Sequence, residues 1–197
     1  MEMNYPEGAT PLDPDELEGL KYPHIETRAE LDELEQHNIQ EGYFWLNRQR
    51  KYKDYLTEGF LIALHEKLFG SVWNWAGSFR RSDKNIGVHY LNIGLELRNL
   101  LDDAKYWVEN DTYKREEFAA KFHHRLVWIH PFPNGNGRHG RIVTDVILER
   151  VLGVSPIKWD SSELGKESRT RKIYIDALHK ADCHDYQPLI EFVTGSK

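Results

Sequence analysis

The sequence has a single cysteine, Cys183, in 197 residues, so no internal disulfide can form and the fold must rest on a buried core. No apolar run approaches membrane-spanning length, and the acidic start MEMNYPEGATPLDPDELEGL has neither the basic nor the apolar stretch of a secretory leader. The expectation is a soluble cytoplasmic protein. Positive charge is also short: 26 Lys and Arg against 32 Asp and Glu give a net charge of −6. That balance offers no general attraction to nucleic acid or to an anionic membrane, so neither is an expected partner and any positive site must be local. Internal repeats, low-complexity tracts and dividing linkers are lacking, and 40% hydrophobic residues suffice for one sizeable core.

What is present is mostly helical periodicity. Pro6, Pro11, Pro14 and Pro23 among many acids predict an irregular arm over residues 1–26, with the domain proper over 27–197. Thr27 and Glu30 fit a capping box, and Leu31, Leu34, Asn38, Ile39, Gly42, Trp45 and Leu46 then recur at helical spacing to about Arg48. Leu56 to Leu68 predicts a second helix that Gly70 terminates in a left-handed conformation. Helical stripes return at Leu97 to Val108, at Phe118 to Ile129, from Ile142 to near Gly153, at about Ser168 to Ala181, and at Tyr186 to Val193. Between them, WNWAGSFRRSDKNIGVHYLNI breaks the period and predicts a small β-hairpin turning at Ser82 to Asn85. The fold class is therefore a mainly α-helical single domain with one hairpin.

Residues 130 to 141, HPFPNGNGRHGR, carry the chemistry. Pro131 disfavours helix at the residue before it, which stands His130 at a helix-to-loop junction. Gly135 and Gly137 allow positive φ and close backbone approach at the start of the next helix, whose unpaired N–H groups attract an anion. Arg138 and Arg141 lie three residues apart on the first turn, and guanidinium groups suit phosphate oxygens. An imidazole at the edge of a polyphosphate site implies proton abstraction from an attacking hydroxyl, hence transfer of a phosphate-containing group. The plainer alternative is a helix–loop–helix corner with solvated arginines, and the combined spacing argues against it. His123, His124, His130 and His139 form no HExxH pattern and predict no metal centre.

The loop resembles the Fic motif HxFx(D/E)GNGRxxR at every specified position except the acid, where Asn134 stands. LHEKLFGSVWNWAGSFR, KNIGV and ALHKADCHDYQPLIEF also resemble Fic segments, and with GATPLDPDELEGL the chain is similar to the subfamily called mobile mystery protein B. The resemblance implies a Fic-like helical domain that transfers AMP from ATP to a Ser, Thr or Tyr hydroxyl of a target protein, with His130 as general base and Phe132 as loop anchor. Gly135, Asn136, Gly137, Arg138 and Arg141 would bind phosphates, and Asn134 would contact Mg²⁺ or Mn²⁺ only weakly. Lys84, Asn85, Ile86, Gly87 and Val88 would form the flap that docks the target. The family's inhibitory (S/T)xxxE(G/N) helix has its nearest match in HNIQEG, whose Glu41 would meet Arg141. The same stretch fits a core helix in which Asn38 and Gly42 pack, and restraint would then fall to a separate antitoxin-like partner or be absent. The alternatives to AMP transfer are another phosphate-containing group, or a weakened nucleotide-binding module.

Overall fold

The computed structural model describes residues 11–49, 54–165 and 167–195. The first ten residues of the expected arm therefore lie outside it. Among the described residues the chain forms helices α1 (Pro14–Leu17), α2 (Arg28–Arg48), α3 (Glu58–Phe69), α4 (Ile93–Glu109), α5 (Arg115–Ile129), α6 (Asn136–Arg150), α7 (Ser161–Leu164), α8 (Arg169–Asp182) and α9 (Gln187–Thr194). The capping box at Thr27 forms in both directions: Glu30 N–H donates to Thr27 Oγ1 at 3.3 Å, and Thr27 N–H to Glu30 Oε2 at 3.0 Å.

Helices α2 and α3 cross closely because Gly42 lies where a Cβ would meet Leu68 at 2.7 Å. Asn38 then reaches over to accept from Ser71 N–H at 2.9 Å and donate to the Lys67 carbonyl at 3.1 Å, serving polar groups at the end of α3. Phe60, Leu61, Leu64 and Leu68 of α3 meet Phe118, Phe122 and Leu126 of α5 and Val143 and Ile147 of α6 in one core, all of them essentially solvent-free. Helices α5 and α6 are neighbours joined directly by the loop 130–135, so the quoted motif is held at both ends by core helices.

Three expectations are corrected. Gly70 follows α3 in a right-handed conformation (φ −72°), and its need for glycine is space, since a Cβ would fall 2.4 Å from the Glu66 carbonyl oxygen. Within 11–26 the arm is not wholly irregular: Asp13 and Glu16 cap the single turn α1, and Leu20 bridges Trp73. The hairpin forms no strand ladder among the described residues. Its arms bond elsewhere: Arg80 N–H donates to the Pro131 carbonyl at 2.9 Å and Val88 N–H to the Ile129 carbonyl at 3.4 Å. The two donors that would begin a ladder at either arm are spent on the end of α5 instead.

Candidate active site

His130 caps α5 in the left-handed conformation (φ 53°, ψ 60°), and Pro131 after it disfavours continuing the right-handed helix. The Arg80 guanidinium, itself fully buried, sits behind this turn. It donates to the His130 carbonyl at 2.7 Å and the Ser82 carbonyl at 2.8 Å, and it also reaches the carbonyls of Ile129 and Val88. Gly87 comes so close that a Cβ would meet His130 Cβ at 2.7 Å, and its φ of +102° also demands glycine. Burial, then the Arg80 charge, push the His130 imidazole down to about 4, against a hydrogen bond to the Val127 carbonyl. It is neutral at pH 7, so one of its ring nitrogens carries a lone pair.

The loop is locked from inside. Phe132 is buried and stacks on His65 with ring centroids 3.7 Å apart. His65 Nε2 donates to the Asn134 carbonyl at 3.0 Å while Nδ1 accepts from Gly77 N–H, so this ring is neutral, and burial holds its pKa well below the usual value. Asn136 bonds both backbone groups of Phe132, its Oδ1 accepting at 2.9 Å and its Nδ2 donating at 2.8 Å. Its side chain therefore closes the loop, leaving its backbone N–H for an anion. Gly135 is required twice, by a φ of 78° and by the Phe69 ring 2.7 Å from where a Cβ would lie.

Gly135 offers α6 no side-chain cap. The first intrahelical bond is His139 N–H to the Gly135 carbonyl, so the N–H groups of Asn136, Gly137 and Arg138 meet no backbone acceptor among the described residues. They face a cleft of about 750 Å³ that also admits His130, Asn134, Arg138 and Arg141. Arg138 donates to Glu35 Oε2 at 2.6 Å, and Glu35 is buried, its other oxygen taking Trp73 Nε1 at 2.7 Å. Arg141, 8% exposed, has no carboxylate within ion-pair reach among the described residues. Asn85, Ile86 and Gly87 form the opposite lip. Lys84 does not: its ammonium is buried against Asp13 at 2.7 Å and Glu16 at 2.5 Å.

Residues 55–148 match the model of the Fic/DOC family. That stretch is similar to Fic/DOC domains. It is 28% identical over 183 residues to a protein adenylyltransferase Fic of Aedes aegypti, a match covering 86% of this chain and 34% of that protein. It is 27% identical over 179 residues to the Drosophila melanogaster protein of the same name, covering 86% and 35%. The chain thus spans about a third of the length of these curated relatives. Two solved structures share the fold: residues 134–508 of Fic-1 from C. elegans (TM-score 0.69, 24% identity, 90% of this chain and 51% of that one) and BepC from Bartonella tribocorum with bound AMPPNP (TM-score 0.71, 20% identity, 99% and 96%).

Within this Fic-like fold, Glu41 turns to Ser71 Oγ at 3.1 Å and to His37 at 4.0 Å, and the carboxylate that meets a motif arginine is Glu35, on Arg138. Glu35 has a sequence signal in its spacing: Leu31, Glu35, Asn38 and Gly42 share one face of α2, where a carboxylate amid packing positions needs a partner. Arg80 and His65 also went unread, although His65 follows Leu61 and Leu64 on the buried stripe of α3. Asn134 Oδ1 already accepts from Gly135 N–H at 2.6 Å, and no group of three or more His, Cys, Asp or Glu among the described residues could hold a metal. Asn134 therefore fits Mg²⁺ only as a neutral secondary contact. No described helix is long and apolar enough to cross a membrane.

Proposed function

We propose that the chain is a protein adenylyltransferase moving AMP from ATP to a Ser, Thr or Tyr hydroxyl of a target protein, with His130 as general base. The observation that carries this reading is a neutral, buried His130 sharing one cleft with the uncapped start of α6 and with Arg138 and Arg141. The α6 amides and the arginines hold the phosphates. His130 takes the proton of the target hydroxyl, whose oxygen bonds the α-phosphorus as the bond to the β-phosphate oxygen breaks and pyrophosphate leaves. A pKa of about 4 makes His130 a weak base in the free protein, and bound phosphate charge raises it toward its task.

Mg²⁺ or Mn²⁺, when bound, offsets phosphate charge, and here the nucleotide must supply most of its ligands, with Asn134 beside them. Asn85, Ile86 and Gly87 would register a target segment, since they border the same cleft as His130, whereas Val88 N–H is already held by the Ile129 carbonyl. With Glu41 directed at Ser71, restraint falls to a separate antitoxin-like partner or is absent. The engaged Asn134 oxygen favours one rival reading, a module that binds nucleotide without transferring it. Mass spectrometry after incubation with each nucleoside triphosphate, metal and a cell lysate tests the proposal. Addition of an AMP group to a protein supports it, and nucleotide binding without any adduct favours the rival.

A further inference from the structure

Arg141 poses a question that the family motif does not answer: what holds a buried guanidinium that has no ion pair among the described residues? Beneath it lies Tyr174 of α8, 4% exposed, with the Arg141 Cζ atom 6.0 Å from its ring centroid. That distance is at the limit of a cation–π contact. The Arg141 charge also acts on the Tyr174 hydroxyl, drawing its proton loose against the effect of burial. On its other side the same hydroxyl lies 2.7 Å from His123 Nε2, in the interior of α5.

Donor and acceptor roles follow from valence. A guanidinium has no acceptor, so toward Arg141 the Tyr174 oxygen can only present its lone pairs, which leaves the phenolic proton for His123 Nε2. In that arrangement His123 is neutral with its proton on Nδ1, a buried atom that meets no hydrogen-bond partner among the described residues and lies against Gly140. Burial and the Arg141 charge hold the His123 pKa down to about 3, in keeping with that state. Tyr174 is kept a neutral phenol by burial. The nearby carboxylate of Asp145 is a poor counter-ion: its Oδ1 accepts from Ile157 N–H and Trp159 Nε1, both at 2.9 Å, and burial raises its pKa to about 6.

The geometry points to Tyr174, backed by His123, as the positioning residue of Arg141: a neutral platform that orients the guanidinium toward the α6 amides without spending its charge. A carboxylate in the same place would neutralise the arginine before phosphate arrived. This rests on the phosphate-binding reading of the cleft and extends it to two residues outside the motif.

The test is a double-mutant cycle read as affinity for ATP and, separately, for inorganic tripolyphosphate. Tyr174→Phe keeps the ring and removes the hydroxyl, and it should weaken both ligands about tenfold, raising KM for ATP more than it lowers kcat. In an Arg141→Ala background the same change should matter less than about twofold, while in Arg138→Ala it should keep its full effect. Thermal melts identify variants that have lost the fold, and for these Tyr174→His, which restores a donor, replaces Tyr174→Phe. Equal losses in all backgrounds, or no loss in the wild-type background, overturn the platform. A wild-type chain that binds neither ligand overturns it together with the phosphate site. Binding of both ligands without AMP transfer retires the adenylyltransferase reading alone, and the cycle then still decides the platform.

Discussion

Arg138 and Arg141 stand one helical turn apart on α6, and their surroundings are opposite in kind. Arg138 rests on the Phe69 ring at 4.8 Å and shares its charge with buried Glu35, whereas Arg141 rests on the neutral Tyr174 with no carboxylate in reach among the described residues. Two identical side chains in one motif are therefore not equivalent. The ion pair fixes Arg138 as part of the fold, tying α2 to α6 across the cleft. The neutral platform leaves the Arg141 charge whole, which costs stability and concentrates attraction for an anion at one point.

The strongest way to break this comparison is to remove each arginine in turn. Arg141→Ala should weaken ATP binding about 100-fold and Arg138→Ala about tenfold, by calorimetric titration, in line with charge-assisted hydrogen bonds of about 1.5–3 kcal/mol. Stability should rank them the other way. Arg138→Ala strands the buried Glu35 carboxylate and should cost about 2–3 kcal/mol in denaturant unfolding, while Arg141→Ala removes an uncompensated buried charge and should cost little. The same order in both measurements would contradict the distinction.

Acid should separate the two surroundings next. His123, beneath Arg141, is held to about 3 by burial and the Arg141 charge, and burial also lowers His130 and His139, each to about 4. The unfolded chain takes up these protons near the ordinary value of 6.5 and the folded chain does not, so stability rises with pH in this window and is lost as pH falls from 6.5 toward 4. Each histidine contributes up to about 1.4 kcal/mol per pH unit. Asp145 opposes them, since its raised pKa of about 6 lets the folded state keep a proton that the unfolded state has released above 3.8. His123→Gln should flatten the acid slope of Tm by about one histidine, and Glu35→Gln should not.

Smaller effects sharpen the picture. Glu35→Gln leaves Arg138 its full charge and should raise ATP affinity about threefold while lowering stability, because Trp73 and Arg138 lose a charged acceptor. Asn134→Asp should lower the Mg²⁺ concentration for half-maximal transfer a few-fold and change the rate at saturating metal little. Activity that appears only in Asn134→Asp would instead favour the binding-module reading.

The legible parts of this molecule were those set by local chemistry. Thr27 with Glu30, the apolar stripes and the His130–Pro131 break are each decided within a few residues, and the helices start and stop accordingly. The arms around Lys84 were misread because their backbone groups pair with Ile129 and Pro131, some 40 to 50 positions away, and with the long Arg80 side chain. The resemblance puts Lys84 in the target-docking flap, and nothing in its neighbourhood announces Asp13 and Glu16. Glu35, Arg80 and Tyr174 have the same history: each is a polar residue on an otherwise ordinary helix or loop, and its meaning comes from a partner that only the tertiary fold supplies.

The central claim is that His130 takes the proton while the loop and arginines hold the nucleotide. The most direct measurement is transfer of label from ATP labelled on the α-phosphate, with wild type and His130→Ala compared beside their ATP affinities. The account predicts α-label on a target protein with wild type, a loss of about 10² to 10⁴ in rate for His130→Ala, and affinities within about threefold of each other. Undiminished transfer by His130→Ala, or protein labelled only when the label sits on the γ-phosphate, would contradict it.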